Sequence, residues 1–137
     1  MNTTLPNEMA PEQGIPPNAK LAAALDKAGA IVEANGLAHE TFWDGWQHGD
    51  WTPGQPCCTA GAVVIAQYPK ASTIEVALMT GQMAYGLTIH PAFQALLDHL
   101  GLPDLEALYD WNDDPARTEA DVARTLRECA ADLRGAA

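Results

Sequence analysis

The sequence predicts an all-α fold, five or six helices packed around one buried apolar helix, and three observations predict it. The segment Cys57–Tyr68 is apolar on every face, and no charged residue occurs from Trp51 to Pro69. It is too short to cross a bilayer, so it reads as a helix covered by its neighbours. On both sides of it, apolar residues recur at i, i+3, i+4 and i+7, the spacing of helices with one buried face. Capping signals also punctuate the chain at intervals that suit helices and not strands. A chain of 137 residues has room for one core and not comfortably for two.

Taken in order, residues 1–17 hold Pro6, Pro11, Pro16 and Pro17 among polar residues, and are expected to form a disordered N-terminal tail before a single helical domain over 18–137. Asn18 is an N-cap candidate for a helix reaching Asn35, with Gly36 as the residue that ends it. Leu21, Leu25, Ala28, Ile31 and Val32 share one side of that helix. Gly29 lies at the edge of this face, where the missing side chain lets another helix approach closely.

Leu37–Pro56 lacks helical periodicity and is longer than most connections, which implies internal structure or a task. Within it, Glu40–Trp43 and Trp46–His48 have the composition of a small hairpin across Asp44-Gly45. After the central helix, Ser72-Thr73-Ile74-Glu75 is a capping box that opens a helix expected to reach Tyr85, with Met79, Met83 and Tyr85 in the core. The alternation of Ile74, Val76 and Leu78 also suits a strand, and the cap decides for a helix.

His90-Pro91 starts the next helix, Phe93, Leu96, Leu97 and Leu100 form its buried stripe, and Gly101 ends it. A short helix follows from Pro103 through Leu105, Leu108 and Tyr109, and stops at Trp111-Asn112-Asp113-Asp114-Pro115. The last helix has Thr118 as N-cap with Asp121 completing the box, and Val122, Leu126, Cys129 and Leu133 as its buried stripe.

Seven Lys and Arg against 18 Asp and Glu give a formal charge of −11, which argues against direct binding of nucleic acid and favours a basic protein partner. From Ala71 to Ala116 there is no Lys or Arg. Three cysteines, two of them adjacent, do not make a disulfide framework and point to a cytoplasmic location. Neither a leader-like segment nor a membrane span is signalled. Adjacent cysteines lack zinc-knuckle spacing and no phosphate-cradling glycine loop is present, so neither a metal nor a cofactor is expected. Nothing in the sequence fixes the oligomeric state.

Three chemistries remain open. Cys58 or Cys57, at a helix N-terminus whose dipole favours thiolate, is a candidate nucleophile for acyl transfer or amide hydrolysis. His48, His39 or His90 would be its base, with Asn112 or Asp113 orienting the imidazole. The alternative use of both thiols is core packing, and of Asn112 and Asp113 the satisfaction of backbone groups in the turn before the last helix. A second possibility is a binding surface made by Trp43, Trp46, Trp51, Trp111, Asp113 and Asp114, against which stands simple burial of the rings. The third is an acidic DNA-mimic inhibitor built on Asp104–Asp121, which carries seven carboxylates and one arginine.

Two short stretches add a resemblance. Cys58-Thr59-Ala60-Gly61-Ala62, and Trp111-Asn112-Asp113 followed by Arg117-Thr118 and Asp121-Val122, resemble in order and spacing the Cys-x-x-Gly-Ala and Trp-Asn-Asp…Arg-Thr elements of a small uncharacterised domain family of actinobacteria and their phages. The resemblance spans about residues 20–134. It departs after the first helix, where a Gly-Trp-x-x-Gly-like stretch is replaced by Gly36-Leu37-Ala38-His39-Glu40. It implies a fold outline and a host range but no activity. The expected function is a non-enzymatic, cytoplasmic protein-binding adaptor or modulator, in the manner of a phage accessory factor acting on a host protein. A cysteine-dependent hydrolase or acyltransferase and the DNA mimic are the alternatives.

Overall fold

Two long helices at opposite ends of the chain close the structure around a short apolar one. In the computed structural model, which describes residues 17–81 and 89–136, there are six helices and, among the described residues, no strand. The fold is all-α. Residues 1–16 of the expected tail, and the core positions expected at Met83 and Tyr85, lie outside the described residues.

Helix α1 (Pro17–Asn35) already includes Pro17 and Asn18, so Asn18 sits in its first turn and is not its cap; its amide instead reaches the Leu133 carbonyl at 3.4 Å. Proline is well suited to that first turn because it has no N–H to leave unpaired. Leu25, Ala28 and Val32 face inward, and α1 packs along α6 (Glu119–Ala136) in the most extensive helix pair of the fold. Asn18 meets Leu133, and Gly29 meets Ala123, so the two helices run antiparallel. A Cβ at Gly29 would stand 3.3 Å from the Ala123 carbonyl oxygen, the close approach expected of this glycine. Outside this seam, Glu33 and Arg127 make two hydrogen bonds, at 2.6 and 2.7 Å. Exposed pairs of that kind fix register more than they add stability.

Helix α2 (Thr59–Gln67) is buried along all but its last residue and touches α1, α3, α4 and α5. Helix α3 (Thr73–Thr80) opens on Ser72, whose N–H and hydroxyl both donate to Glu75 Oε1, at 2.7 and 2.6 Å. It ends earlier than the expected Tyr85 because Gly81 takes the left-handed conformation, φ 78°, and its N–H closes on the Ala77 carbonyl. Val76 and Met79 are buried while Ile74 and Leu78 are exposed, a division with helical and not strand period.

In α4 (Pro91–Leu100) the His90 imidazole Nδ1 caps the first turn by accepting the Ala92 N–H at 3.1 Å. Gly101, φ 70°, ends it. Asp104 caps α5 (Leu105–Asp113), which continues through Trp111, Asn112 and Asp113 instead of stopping before them. Thr118 and Asp121 cap α6 reciprocally, at 3.0 and 3.1 Å.

The segment between α1 and α2 does not form the expected hairpin. His48 donates to Gly45 O and Trp46 to Trp43 O, so Asp44-Gly45 belongs to consecutive tight turns that carry the chain round without pairing its flanks. The flanks pair elsewhere: Leu37 bridges Cys57 in parallel and Trp43 bridges Cys57 antiparallel. The reason lies in Trp43, whose fully buried ring belongs to the core, which an exposed two-stranded hairpin would have left in water.

Candidate functional site

Three segments distant in sequence converge at the N-terminus of α2. Cys58 is its N-cap: the backbone is extended and Sγ accepts the Gly61 N–H at 3.2 Å. The Cys58 N–H in turn donates to the Phe42 carbonyl at 2.9 Å. That contact brings the loop so near the helix that a Cβ at Gly61 would stand 2.6 Å from the same carbonyl oxygen. Asn112 locks the third segment in place. Its Oδ1 accepts the Thr59 N–H at 2.8 Å and the Thr59 hydroxyl at 2.7 Å, and its Nδ2 donates to the Ala38 carbonyl and to Asp113 Oδ1, both at 3.0 Å. Asn112 therefore does serve backbone groups, but those of a distant loop and helix and not of its own turn.

Glu40 is the one non-glycine described residue with positive φ, 66°. A left-handed residue with a Cβ costs on the order of 1 kcal/mol or more, and persists where its surroundings hold it. Here the Asp113 carboxylate does so, accepting the Glu40 N–H at 2.7 Å.

Between this loop and α5 lies a cavity of about 340 Å³. Phe42, Trp46 and Tyr109 form its aromatic walls, with Phe42 set edge-on to both other rings at 4.8 and 5.8 Å. Cys58, Ala60 and Leu108 also line it, Asn112 and Thr41 contribute polar atoms, and Glu40, Gln47 and Asp113 bring the remaining polar side chains. The Tyr109 hydroxyl is buried and has no hydrogen-bond partner among the described residues. Burial pushes this phenol up to about 12, with a further push from Cys58.

Burial acts on the cysteines in the same direction. Desolvation pushes the Cys58 thiol up to about 12; N–H donors from Gly61 and Ala60 pull it down without offsetting the burial, and the Asp113 carboxylate raises it again. Cys57 is likewise pushed up to about 12 by burial and by its neighbour Cys58. At the N-terminus of α2 desolvation thus outweighs the N–H donors that favour the Cys58 thiolate. Among the described residues no histidine lines the cavity. His39 and His48 are exposed, and His90 caps α4 with burial holding its imidazole below the usual histidine range. The parts of a Cys–His–Asn triad thus exist but do not converge. No three His, Cys, Asp or Glu side chains among the described residues are grouped as a metal site requires.

Of the candidate binding residues, Trp46 and Asp113 reach the cavity. Trp43 and Trp51 are core, their indole N–H groups donating to Gly49 O and Gln55 O. Trp111 lies under the Arg117 guanidinium, 4.1 Å from the ring centre, and Asp114 caps the turn at Ala116. Glu40 and Tyr109 are site residues that the sequence does not single out as such: Tyr109 occupies an ordinary apolar helix position, and only folding sets it opposite Phe42 of the aromatic loop.

A family model matches residues 16–132, and its description is "Family of unknown function (DUF6197)". The chain belongs to this family. Comparison with curated proteins and with solved structures gives no match. In this DUF6197 domain the residues of both short motifs have structural tasks. Cys58 and Gly61 cap α2 and admit the loop, Asn112 ties that loop to α2, Arg117 covers Trp111, and Thr118 with Asp121 starts α6. No helix among the described residues is long and apolar enough to cross a membrane.

Proposed function

We propose that this domain is a non-enzymatic protein-binding module, and that the cavity between the Glu40–Gln47 loop and α5 receives a side chain of its partner. The observation that carries this reading is the composition of the cavity: three aromatic walls with a few placed polar side chains, two of them carboxylates, and among the described residues no histidine in the lining. Such a site suits recognition, since a concave, mostly apolar pocket with a few placed polar groups fixes a ligand's orientation. Against the thiol alternative stand the burial that raises both thiols and a cavity lining without histidine among the described residues. The carboxylates of Asp104, Asp113, Asp114 and Asp121 accept backbone N–H groups, which accounts for much of the acidic segment without a DNA-like surface. The wider expectation, a cytoplasmic modulator acting on a host protein in actinobacteria or their phages, is part of this proposal and draws its support from the sequence resemblance and the three unpaired cysteines.

Selection of a displayed random-peptide library on the full-length protein tests it. Peptides enriched on the wild type and lost on Trp46→Ala are expected. No enrichment, together with turnover of a thioester or amide by the purified protein, would overturn the proposal.

A further inference from the structure

We propose that the side chain received by the cavity is an arginine of the partner; this rests on the binding-module reading above and names its ligand. Two carboxylates, Glu40 and Asp113, line the cavity, and among the described residues no Lys, Arg or His does. One oxygen of Asp113, Oδ1, is taken by the Glu40 N–H and by Asn112, whereas Oδ2 has no hydrogen-bond partner among the described residues. A guanidinium supplies what these groups want. It stacks on aromatic rings, is more weakly hydrated than an ammonium, and its planar fork of N–H donors matches a carboxylate.

The domain already uses this combination on itself. Arg117 lies 4.1 Å over the Trp111 ring, donates through Nε to the Trp111 carbonyl at 3.0 Å and stands 4.0 Å from Asp114. The cavity offers a similar set, aromatic rings plus two carboxylates, and among the described residues no arginine lines it. The formal charge of −11 adds a field that draws a basic segment toward the domain.

The test uses the full-length protein and three short peptides of one neutral sequence, differing at a central residue that is arginine, lysine or citrulline. Citrulline keeps the planar shape of arginine and removes its charge. Chemical-shift titration of the Trp46 indole and the Tyr109 ring is the readout. The arginine peptide is expected to shift both saturably, with citrulline at least tenfold weaker, lysine weaker than arginine, and affinity falling as salt rises. Asp113→Asn, which keeps an acceptor for the Glu40 N–H, and Glu40→Gln, which leaves the backbone as it is, are each expected to weaken arginine binding about tenfold while the free proteins keep the wild-type spectrum. Citrulline equal to arginine, lysine tighter than arginine, or shifts that bypass Trp46 and Tyr109 would overturn the proposal. If these peptides fail while library peptides still need Trp46, the arginine is wrong and the binding module stands. If both fail, both readings fall.

Discussion

Replacing Asn112 with alanine removes the one side chain that holds three segments together. Its Oδ1 serves two donors on Thr59, a residue with no solvent exposure, and Asn112 itself is 2 % exposed. A buried donor left without its acceptor costs roughly 1–3 kcal/mol. The Thr59 hydroxyl can rotate toward another acceptor, whereas its N–H cannot, and the half-buried Ala38 carbonyl can take water, so the expected loss is about 3 kcal/mol in all. In urea, with a slope of roughly 1.5 kcal/mol per molar, this moves the midpoint down by about 2 M at unchanged slope. Thr59→Ala closes a double-mutant cycle, in which the hydroxyl–amide pair should show a coupling of about 1 kcal/mol. A loss below about 1 kcal/mol for Asn112→Ala, or a coupling near zero, would refute the idea that Asn112 is the clasp of this site.

Gly61→Ala places a methyl 2.6 Å from a backbone oxygen, so the loop must move and the Cys58–Phe42 hydrogen bond with it; a loss above about 2 kcal/mol and altered Trp fluorescence are expected by chemical denaturation. Stability should also fall at alkaline pH. Both Cys57 and Cys58 have folded pKa values raised to about 12 from an ordinary value of 9.0, so the unfolded chain releases its protons first. The stabilisation is fully present below pH 9 and is lost as pH rises toward 12, at up to about 1.4 kcal/mol per pH unit for each thiol. Urea midpoints measured between pH 8 and 11 read this slope, and the Cys57→Ala, Cys58→Ala double variant should make it shallower, with Cys129 and Tyr109, also raised by burial, keeping part of it. Iodoacetamide at pH 7 should label Cys58 in the folded protein no faster than Cys129, which burial also pushes up, to about 11; rapid labelling of Cys58 would restore the nucleophile reading.

Much of the helical outline can be read from the sequence because caps are local. Ser72 with Glu75, Thr118 with Asp121, His90-Pro91, Gly36 and Gly101 each act within a few residues of themselves, and each stands where the sequence places it. Gly29 is legible for a similar reason: its place at the edge of an apolar face implies a close neighbour, and α6 is that neighbour. The hairpin was misleading because Asp44-Gly45 has valid turn chemistry, while the outcome was set by burial of Trp43 and by pairing with Cys57. The end of α3 is not legible although Gly81 is, since an apolar run on both sides of a glycine does not say that the glycine is left-handed. The cavity was hidden altogether. Its lining comes from residues 40–47, 58–60 and 108–113, and no local pattern announces that Phe42 and Tyr109 will stand 5.8 Å apart.

The antiparallel seam of α1 and α6 has a consequence for how the chain is made. Its two halves are separated by the 83 residues between Asn35 and Glu119, so α1 leaves the ribosome with its apolar face uncovered and its partner not yet synthesised. At elongation rates of about 5–20 residues per second the wait is roughly 4–17 s, far longer than a helix or a short loop needs to form. Every shorter helix can find its neighbours during that interval, but the seam that encloses them closes last. Completion of the fold is thereby tied to the synthesis of α6, and a chain that stops before it is left with the Leu25, Ala28 and Val32 stripe open to chaperones and proteases.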